Sequence, residues 1–452
     1  MDRRQFIAFA GLSAGVLALT ACTGPTVAST GTKTTAAKAA GGPSFAGVQP
    51  AKKITFWSSN PGGSQAVTQQ IIDAFTKETG IEVELVSAAT YEEVAQKFQA
   101  AQAGGGLPDL LTLSDVWWFR FKINDQIIPL GNALKAAKVD TSDYAPIFFG
   151  DYQYDGEQWA VPWARSTPLF YYNKKHWSNA GLPDRAPKTW DELAEWAPKL
   201  KAANPGIDFA YEWGDIAGYA GWTAQNVVWG YGGAYSKKDS FDITTDSDAT
   251  VKAFQFMQDS IYKGKWAGQA AKDAGADLAA GATSATVESS GSFAGIMKTL
   301  DSAGNPFELG AGPLPGGPVE QSPVCPTGGT GVAIPKGIDK ANQLAAAKFI
   351  AYLTNAENTV TFSGATGYIP VRKSADTADL RSQKPIIGVA IDQSANTRSQ
   401  DWARVFLPGG DQALNTAIQS INTQQADVKA TMTALKTNLE SIYTGQVKPY
   451  IS

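Results

Sequence analysis

The chain predicts an α/β architecture in two parts, and three observations predict it. Short β-rich runs alternate with amphipathic helical stretches from Ile54 onward, which argues for right-handed βαβ units, each part a mostly parallel sheet flanked by helices. The alternation restarts beyond a proline-bounded extended run, Trp159-Ala-Val-Pro-Trp-Ala-Arg-Ser-Thr-Pro, which reads as a crossing between the parts. Roughly 400 residues follow the first fifty, more than one hydrophobic core usually serves.

The elements follow in order. Ile54-Thr-Phe-Trp-Ser is a first strand and Asn60-Pro-Gly-Gly a turn. Ser64 caps a helix with Val67, Ile71, Ile72 and Phe75 on its apolar face, and Gly80 closes it. Ile81, Val83 and Leu85 alternate as a strand. Tyr91 opens a second helix with Val94, Ala95 and Phe98 inward, ended by three consecutive glycines from Gly104. Leu107-Pro-Asp-Leu-Leu-Thr-Leu is a buried strand reaching Asp115. Ligands on such sheets gather beyond the carboxyl ends of strands, which puts Ser58, Ser59, Tyr91 and Asp115 near one rim. After the crossing, Thr189-Trp-Asp-Glu is a capping box. Gly230 to Tyr235 is a glycine-aromatic loop, and Val251, Phe254, Met257 and Ile261 mark the apolar face of a helix. The Gly/Pro-rich residues 310–323 read as a second crossing, Ala341 to Leu353 as a helix, and residues 411–443 as a long polar helical stretch.

The amino terminus reads as an export signal. Arg3 and Arg4 precede an apolar run from Phe6 to Leu19, shorter than the ~20 residues needed to span a bilayer. Arg3-Arg4-Gln5-Phe6-Ile7 is similar to a twin-arginine signal. Leu19-Thr-Ala-Cys22 looks like a bacterial lipobox, whose cysteine is diacylated and becomes the new terminus. Residues 1–22 are therefore read as a lipoprotein signal, and residues 23–50, small and polar apart from Phe45, as a flexible stalk. The protein is expected outside the cytoplasmic membrane, held to it by lipid alone.

Composition narrows the chemistry. A formal net charge of −4 offers no field for nucleic acid. Of the two cysteines, acylation of Cys22 leaves Cys325 unpaired, so no intrachain disulfide is expected. His176 is the single histidine and lies in a Lys-Lys-His-Trp stretch of surface character, so neither a zinc cluster nor histidine acid-base catalysis is indicated. No metal or other cofactor is implied. A secreted glycosidase would need two facing carboxylates, for which Asp109, Asp115 and Glu157 are the candidates. The excess is aromatic, with 13 Trp and 15 Tyr, a profile suited to sugars or cations held against ring faces.

The order of motifs then carries a resemblance. The signal and lipobox precede Ile-Thr-Phe-Trp, Tyr-Glu-Glu-Val-Ala-Gln-Lys-Phe, Leu-Pro-Asp-Leu and Ala-Arg-Ser-Thr-Pro-Leu-Phe-Tyr-Tyr-Asn-Lys. Ser-Gly-Ser-Phe-Ala-Gly, Cys-Pro-Thr-Gly-Gly, Thr-Gly-Tyr-Ile-Pro-Val-Arg and Ala-Arg-Val-Phe-Leu-Pro-Gly-Gly-Asp follow. Together they resemble the family 1 extracellular solute-binding proteins of ABC importers, and within them the actinobacterial lipoproteins for glycerol-3-phosphate or glycerophosphocholine. The resemblance implies a two-lobe, type II periplasmic-binding-protein-like fold that closes on ligand by hinge bending. Lobe 1 is then residues 51–162 and about 324–375, and lobe 2 about 163–323 and 376–452. It also implies a monomer that binds a glycerophosphodiester, delivers it to permease subunits and catalyses nothing. A glycerol-3-phosphate receptor, an oligosaccharide-binding protein and a secreted hydrolase are the alternatives.

Site residues follow from the same resemblance, position by position. Arg398 matches the arginine that takes the ligand phosphate, where a guanidinium fork offers paired charge-assisted bonds; Arg404 and Arg372 are the lesser candidates. Tyr368 matches a tyrosine of that cluster, Ser292 a hydroxyl, Gly329 a backbone N–H, and Ser166 a serine of the crossing segment. Tyr91 and Asp115 match residues that hold the glycerol hydroxyls. Trp222 matches a cleft wall, and Tyr219 departs from the pattern in a way that suits either a choline cage or a pocket narrowed toward the bare phosphomonoester.

Overall fold

The computed structural model describes residues 41–59, 63–214, 220–304 and 307–451. The lipobox cysteine Cys22, the signal, most of the stalk, the Asn60 turn and Tyr219 lie outside the described residues. Two five-stranded sheets organise residues 40–452, which form one compact unit. The first runs in the order Glu82–Ser87, Lys53–Ser58, Leu110–Ser114, Gly328–Ala333, Val161–Ser166. The second runs Leu309–Gly312, Pro168–Asn173, Ala285–Ser289, Tyr211–Trp213, Ala267–Gln269.

Each sheet is mixed, not mostly parallel. The helix-linked strands of the first sheet pair in parallel, whereas Gly328–Ala333 runs antiparallel to both of its neighbours. In the second, Pro168–Asn173 is antiparallel to both neighbours and the other two pairings are parallel. The reason is connectivity. A parallel pair needs a crossover within its own sheet, but Gly328–Ala333 and Pro168–Asn173 arrive from the opposite lobe and carry no such constraint. Val161–Ser166 and Pro168–Asn173 are consecutive in sequence yet belong to different sheets, so the first crossing is the single residue Thr167. Its hydroxyl donates to the Pro326 carbonyl (3.3 Å) and accepts from Gln393 Nε2 (3.1 Å), which ties the crossing to neighbouring strands.

Local signals explain most helices. Val67, Ile71, Ile72 and Phe75 of helix Gln65–Thr79 are buried, and Gly80 ends it at φ 69°, a left-handed position that suits glycine. Ser64 stands at its start without capping through its side chain. Thr189 accepts from the Glu192 amide to start Trp190–Ala203, and Thr90 does the same for Tyr91–Gly104. The polar stretch near the carboxyl end is two helices, Gly410–Gln424 and Val428–Ile442, because Gln425 turns left-handed at φ 55°. The stalk expected through residue 50 is already docked from residue 41. The Gly41 amide donates to both Glu157 oxygens (2.9 and 3.0 Å), Asn132 Nδ2 donates to the Gly42 carbonyl (2.8 Å), and Phe45 enters the core.

The lobes meet along an aromatic seam. Phe119 of the first stacks on Phe406 of the second with ring centroids 4.4 Å apart, and Trp118 meets the same ring edge-on at 5.4 Å. One apolar cluster extends from Trp57 and Phe98 through this seam to Tyr211 and Met257. No helix among the described residues is long and apolar enough to cross a membrane.

Candidate functional site

At the junction of the lobes lies a buried charge network that begins with Asp115, just past the strand Leu110–Ser114. Arg165, in the all-buried strand Val161–Ser166, has no solvent exposure, and its two terminal nitrogens reach separate carboxylates. Nη1 lies 2.5 Å from Asp115 Oδ1 and Nη2 2.5 Å from Asp151 Oδ2. The Tyr152 hydroxyl accepts from Arg165 (2.7 Å) and donates to Asp115 (3.0 Å). The second lobe completes both carboxylates. Gln400 Nε2 donates to Asp115 Oδ2 (2.7 Å) and the Ser399 hydroxyl to Asp151 Oδ1 (2.9 Å).

Two carboxylates against one guanidinium leave a negative excess. Burial is the main force pushing the Asp151 carboxyl up to about 6; Arg165 opposes that rise and the neighbouring Asp115 adds to it. Burial works against the Arg165 charge, but Asp115, Tyr152 and Asp151 hold its pKa above the ordinary value. A cavity of about 120 Å³ opens onto this network between Trp118 and Asp151 of one lobe and Gln400, Trp402 and Phe406 of the other.

Gly329 and Ser166 lie in the neighbouring strands of the same sheet. Gly329 has φ +107°, and a Cβ there would meet the Ala164 carbonyl oxygen at 2.0 Å, so only glycine lets the strands approach. Its own carbonyl accepts from the Asp115 amide at 3.3 Å. Ser166 is buried and opposes Gly328 in register. Trp222 is also buried; its Nε1 donates to the Thr327 carbonyl (2.8 Å), and its ring covers Gly328, where a Cβ would come within 2.4 Å of it.

Tyr368 and Tyr91 form a second group, their hydroxyls 3.3 Å apart. Burial raises the Tyr368 phenol to about 12, with the Tyr91 hydrogen bond and Arg165 opposing. The Tyr368 ring leaves no room for a side chain at Gly291, next to Ser292, whose hydroxyl donates to Glu288 Oε2 at 3.3 Å. Arg398 occupies the two-residue strand Thr397–Arg398, parallel to Cys325–Pro326. Its side chain is 40% exposed, its guanidinium lies over the Trp229 ring at 3.7 Å, and its ion pair with Asp401 is long at 3.4 Å. Desolvation lowers its pKa, which Asp401 partly offsets.

The lesser arginine candidates are structural. Arg372 stacks on Tyr144 at 3.6 Å and donates to the Thr354 (2.6 Å) and Asp140 carbonyls, and Arg404 pairs with Asp411 at 2.7 Å and donates to Gln400. Neither Asp109 nor Glu157 faces Asp115 across the cavity. Asp109 accepts from Thr55 and Asn342, and Glu157 from Gly41. His176 meets Ser284 at 2.9 Å, and burial lowers its pKa. Cys325 is buried, with Thr167 Oγ1 3.1 Å from its sulfur. No cluster of three metal-ligating side chains occurs among the described residues.

Sequence reasoning passed over Arg165, Asp151, Tyr152 and Gln400. A signal for Arg165 was present: a charged residue inside a Trp- and Pro-bounded extended run must find a partner when the run is buried.

The family described as bacterial extracellular solute-binding protein matches residues 70–388. The sn-glycerol-3-phosphate-binding periplasmic protein UgpB of Pectobacterium atrosepticum is 29% identical over 429 residues, 89% of each chain. The Escherichia coli K12 protein of the same name is 28% identical over 338 residues, 71% of this chain and 75% of its own. Among solved structures, UgpB from Mycobacterium tuberculosis in complex with glycerophosphocholine superposes with a TM-score of 0.81 at 41% identity, covering 87% of this chain and 99% of that one. The GacH receptor of Streptomyces glaucescens shares the fold, with a TM-score of 0.74 at 20% identity over 87% of this chain and 99% of its own.

Proposed function

The chain belongs to the bacterial extracellular solute-binding proteins, and from that premise we propose that it captures a glycerophosphodiester, glycerophosphocholine first among them, between its lobes. It then hands the ligand to the membrane subunits of an ABC importer and carries out no reaction on it. The likeness to the mycobacterial glycerophosphocholine complex carries this reading. Arg398 supports it from geometry: a half-exposed guanidinium held by an indole face and one long ion pair has donors to give a phosphate. Tyr368, Ser292, Ser166 and the Gly329 backbone surround the same anion in this reading. Tyr91 and Asp115 take the glycerol hydroxyls, which replace the Gln400 amide on Asp115 Oδ2. Trp222 closes the wall.

A glycerol-3-phosphate receptor is the second reading, favoured by what the enterobacterial relatives are named for. Calorimetry of residues 40–452 against glycerophosphocholine, glycerol-3-phosphate and trehalose separates them, because the diester is expected to bind most tightly and the disaccharide not at all. Saccharide binding alone ends the phosphate reading. The protein acts as a monomer tethered by acylated Cys22, with residues 23–40 as the spacer. Metabolic labelling with a fatty acid should mark the full chain and not its Cys22→Ala variant. Prolonged incubation should return the diester unhydrolysed.

A further inference from the structure

We propose that Gln393 is a positioning residue for lobe closure: its buried amide pins the passages by which the chain moves between the two sheets, and so fixes the axis on which the lobes bend. This rests on the reading that the ligand is held between the lobes, and it adds no contact to that ligand. The chain passes from the first sheet to the second at Thr167 and returns along residues 313–327, between the strands Leu309–Gly312 and Gly328–Ala333. Gln393 touches both passages. It stands near the end of the helix Pro385–Ser394, whose buried face is otherwise Ile386, Ile387, Gly388 and Ala390. A glutamine only 3% exposed on such a face is costly unless its amide is bonded. Nε2 donates to the Thr167 hydroxyl (3.1 Å) and to the Pro168 carbonyl (2.7 Å), and Oε1 accepts from the Leu314 amide (2.6 Å).

The links continue through Thr167. Its hydroxyl donates to the Pro326 carbonyl at 3.3 Å, so Leu314, Gln393, Thr167 and Pro326 form one buried chain. That chain ties both ends of the returning passage to the outgoing one. The main chain of Gln393 adds another tie: its carbonyl accepts from the Asn396 amide (2.8 Å), and the Asn396 carbonyl accepts from the Cys325 amide (3.3 Å). Hinge bending concentrates φ/ψ change in a few residues. Residues bonded on both sides absorb little of it, so the pinned passages turn together about one axis. Gln393 does not line the interlobe cavity, and both its amide hydrogens and its oxygen are already bonded. Its effect on binding is therefore the same for every ligand. Unpinned passages spread the ligand-free protein over lobe arrangements of which only a fraction can close, and apparent affinity falls by that fraction.

The test measures lobe separation and affinity together on residues 40–452. Cys325, the single cysteine of that stretch, is buried, so spin labels at Lys77→Cys and Lys252→Cys, exposed positions in the two lobes, report the interlobe distance. Gln393→Met keeps the bulk and removes the bonds; Thr167→Val keeps the branched shape and removes the hydroxyl. Each should broaden the distance distribution of the ligand-free protein and weaken glycerophosphocholine and glycerol-3-phosphate by one common factor of about five. The double variant should do no more than either single one, because both break the same chain. Thr167→Ser, which restores the hydroxyl, should return both readings to those of wild type. Wild-type distances in Gln393→Met and Thr167→Val overturn the proposal, as does a loss confined to one ligand, which would make the side chain a ligand contact. If wild type binds neither phosphate ester, the ligand reading falls, while the distance distributions still decide the hinge.

Discussion

Arg165 and Arg398 are built for opposite purposes. Arg165 has no exposure and meets two carboxylates at 2.5 Å and a phenol at 2.7 Å. Arg398 is 40% exposed, leans on an indole and meets one carboxylate at 3.4 Å. The first is fixed by its partners and has little left to offer a ligand; the second keeps its hydrogen-bonding fork largely unused. The difference teaches that residue type alone does not assign a role. What separates framework from receptor is how many of a side chain's donors are already committed.

The largest effect should come from removing the framework arginine. Arg165→Met leaves Asp115 and Asp151 buried without their cation, a loss of about 3–5 kcal/mol of stability, read as a lowered urea midpoint with unchanged slope. A loss below about 1 kcal/mol would break the comparison, because Arg165 would then be dispensable to the frame. Arg398→Ala is expected to do the reverse. It should cost about 1.5–3 kcal/mol of diester affinity, the range for hydrogen bonds to a charged group, and leave the unfolding midpoint nearly unchanged. If instead the midpoint falls and affinity holds, Arg398 is framework and the phosphate site lies elsewhere.

This contrast also marks what could be read without a structure. The Gly80 stop and the Thr189 cap depend on neighbours within a few residues, and the sequence pattern carried them. Prolines bounding an extended run mark the neighbourhood of the crossing but not its place at Thr167, since Val161–Ser166 of that run is a strand of the first sheet. Strand direction was not visible, since Gly328–Ala333 owes its antiparallel pairing to a chain returning from the other lobe. Docking of residues 41–50 was missed for a similar reason: Gly41 is held by Glu157, 116 positions away. Among the site residues, family resemblance nominated Asp115, Gly329, Trp222 and Ser166, which the structure gathers in and around one sheet edge. Tyr91 and Tyr368 come together as a separate pair, Ser292 stands beside Gly291 under the Tyr368 ring, and Arg398 stands apart over Trp229. Arg165, Tyr152 and Gln400 depend wholly on tertiary pairing, which no local pattern encodes.

A smaller change sharpens the ligand side of the comparison. The Tyr368 hydroxyl is buried against Tyr91, and its raised pKa keeps it a neutral donor across the physiological range. Tyr368→Phe should cost about 1 kcal/mol of diester affinity, roughly a five-fold weakening by titration, and be additive with Arg398→Ala only if the two groups act on the ligand independently. Additivity would therefore argue that the phenol and the guanidinium contact separate oxygens.

A last effect, read through pH, concerns a carboxylate that lacks an arginine altogether. In the second lobe Glu212 is buried near Asp277, and burial first, then the charge of Asp277, pushes its carboxyl up to about 8 from an ordinary 4.5. Asp151, which faces Arg165, reaches only about 6. Because the folded state holds the Glu212 proton more tightly than the unfolded chain, this group's contribution to stability is fully present below about pH 4.5 and is lost as pH rises through about 8. Glu212→Gln, uncharged throughout, should remove that part of the slope, so the variant gains on the parent steadily across the window and most at its alkaline end. Thermal midpoints measured at intervals from pH 5 to 9 decide it. Parallel curves for the two proteins would mean that Glu212 is solvated, and that an unpaired carboxylate in this lobe carries no more strain than the arginine-paired one beside the cleft.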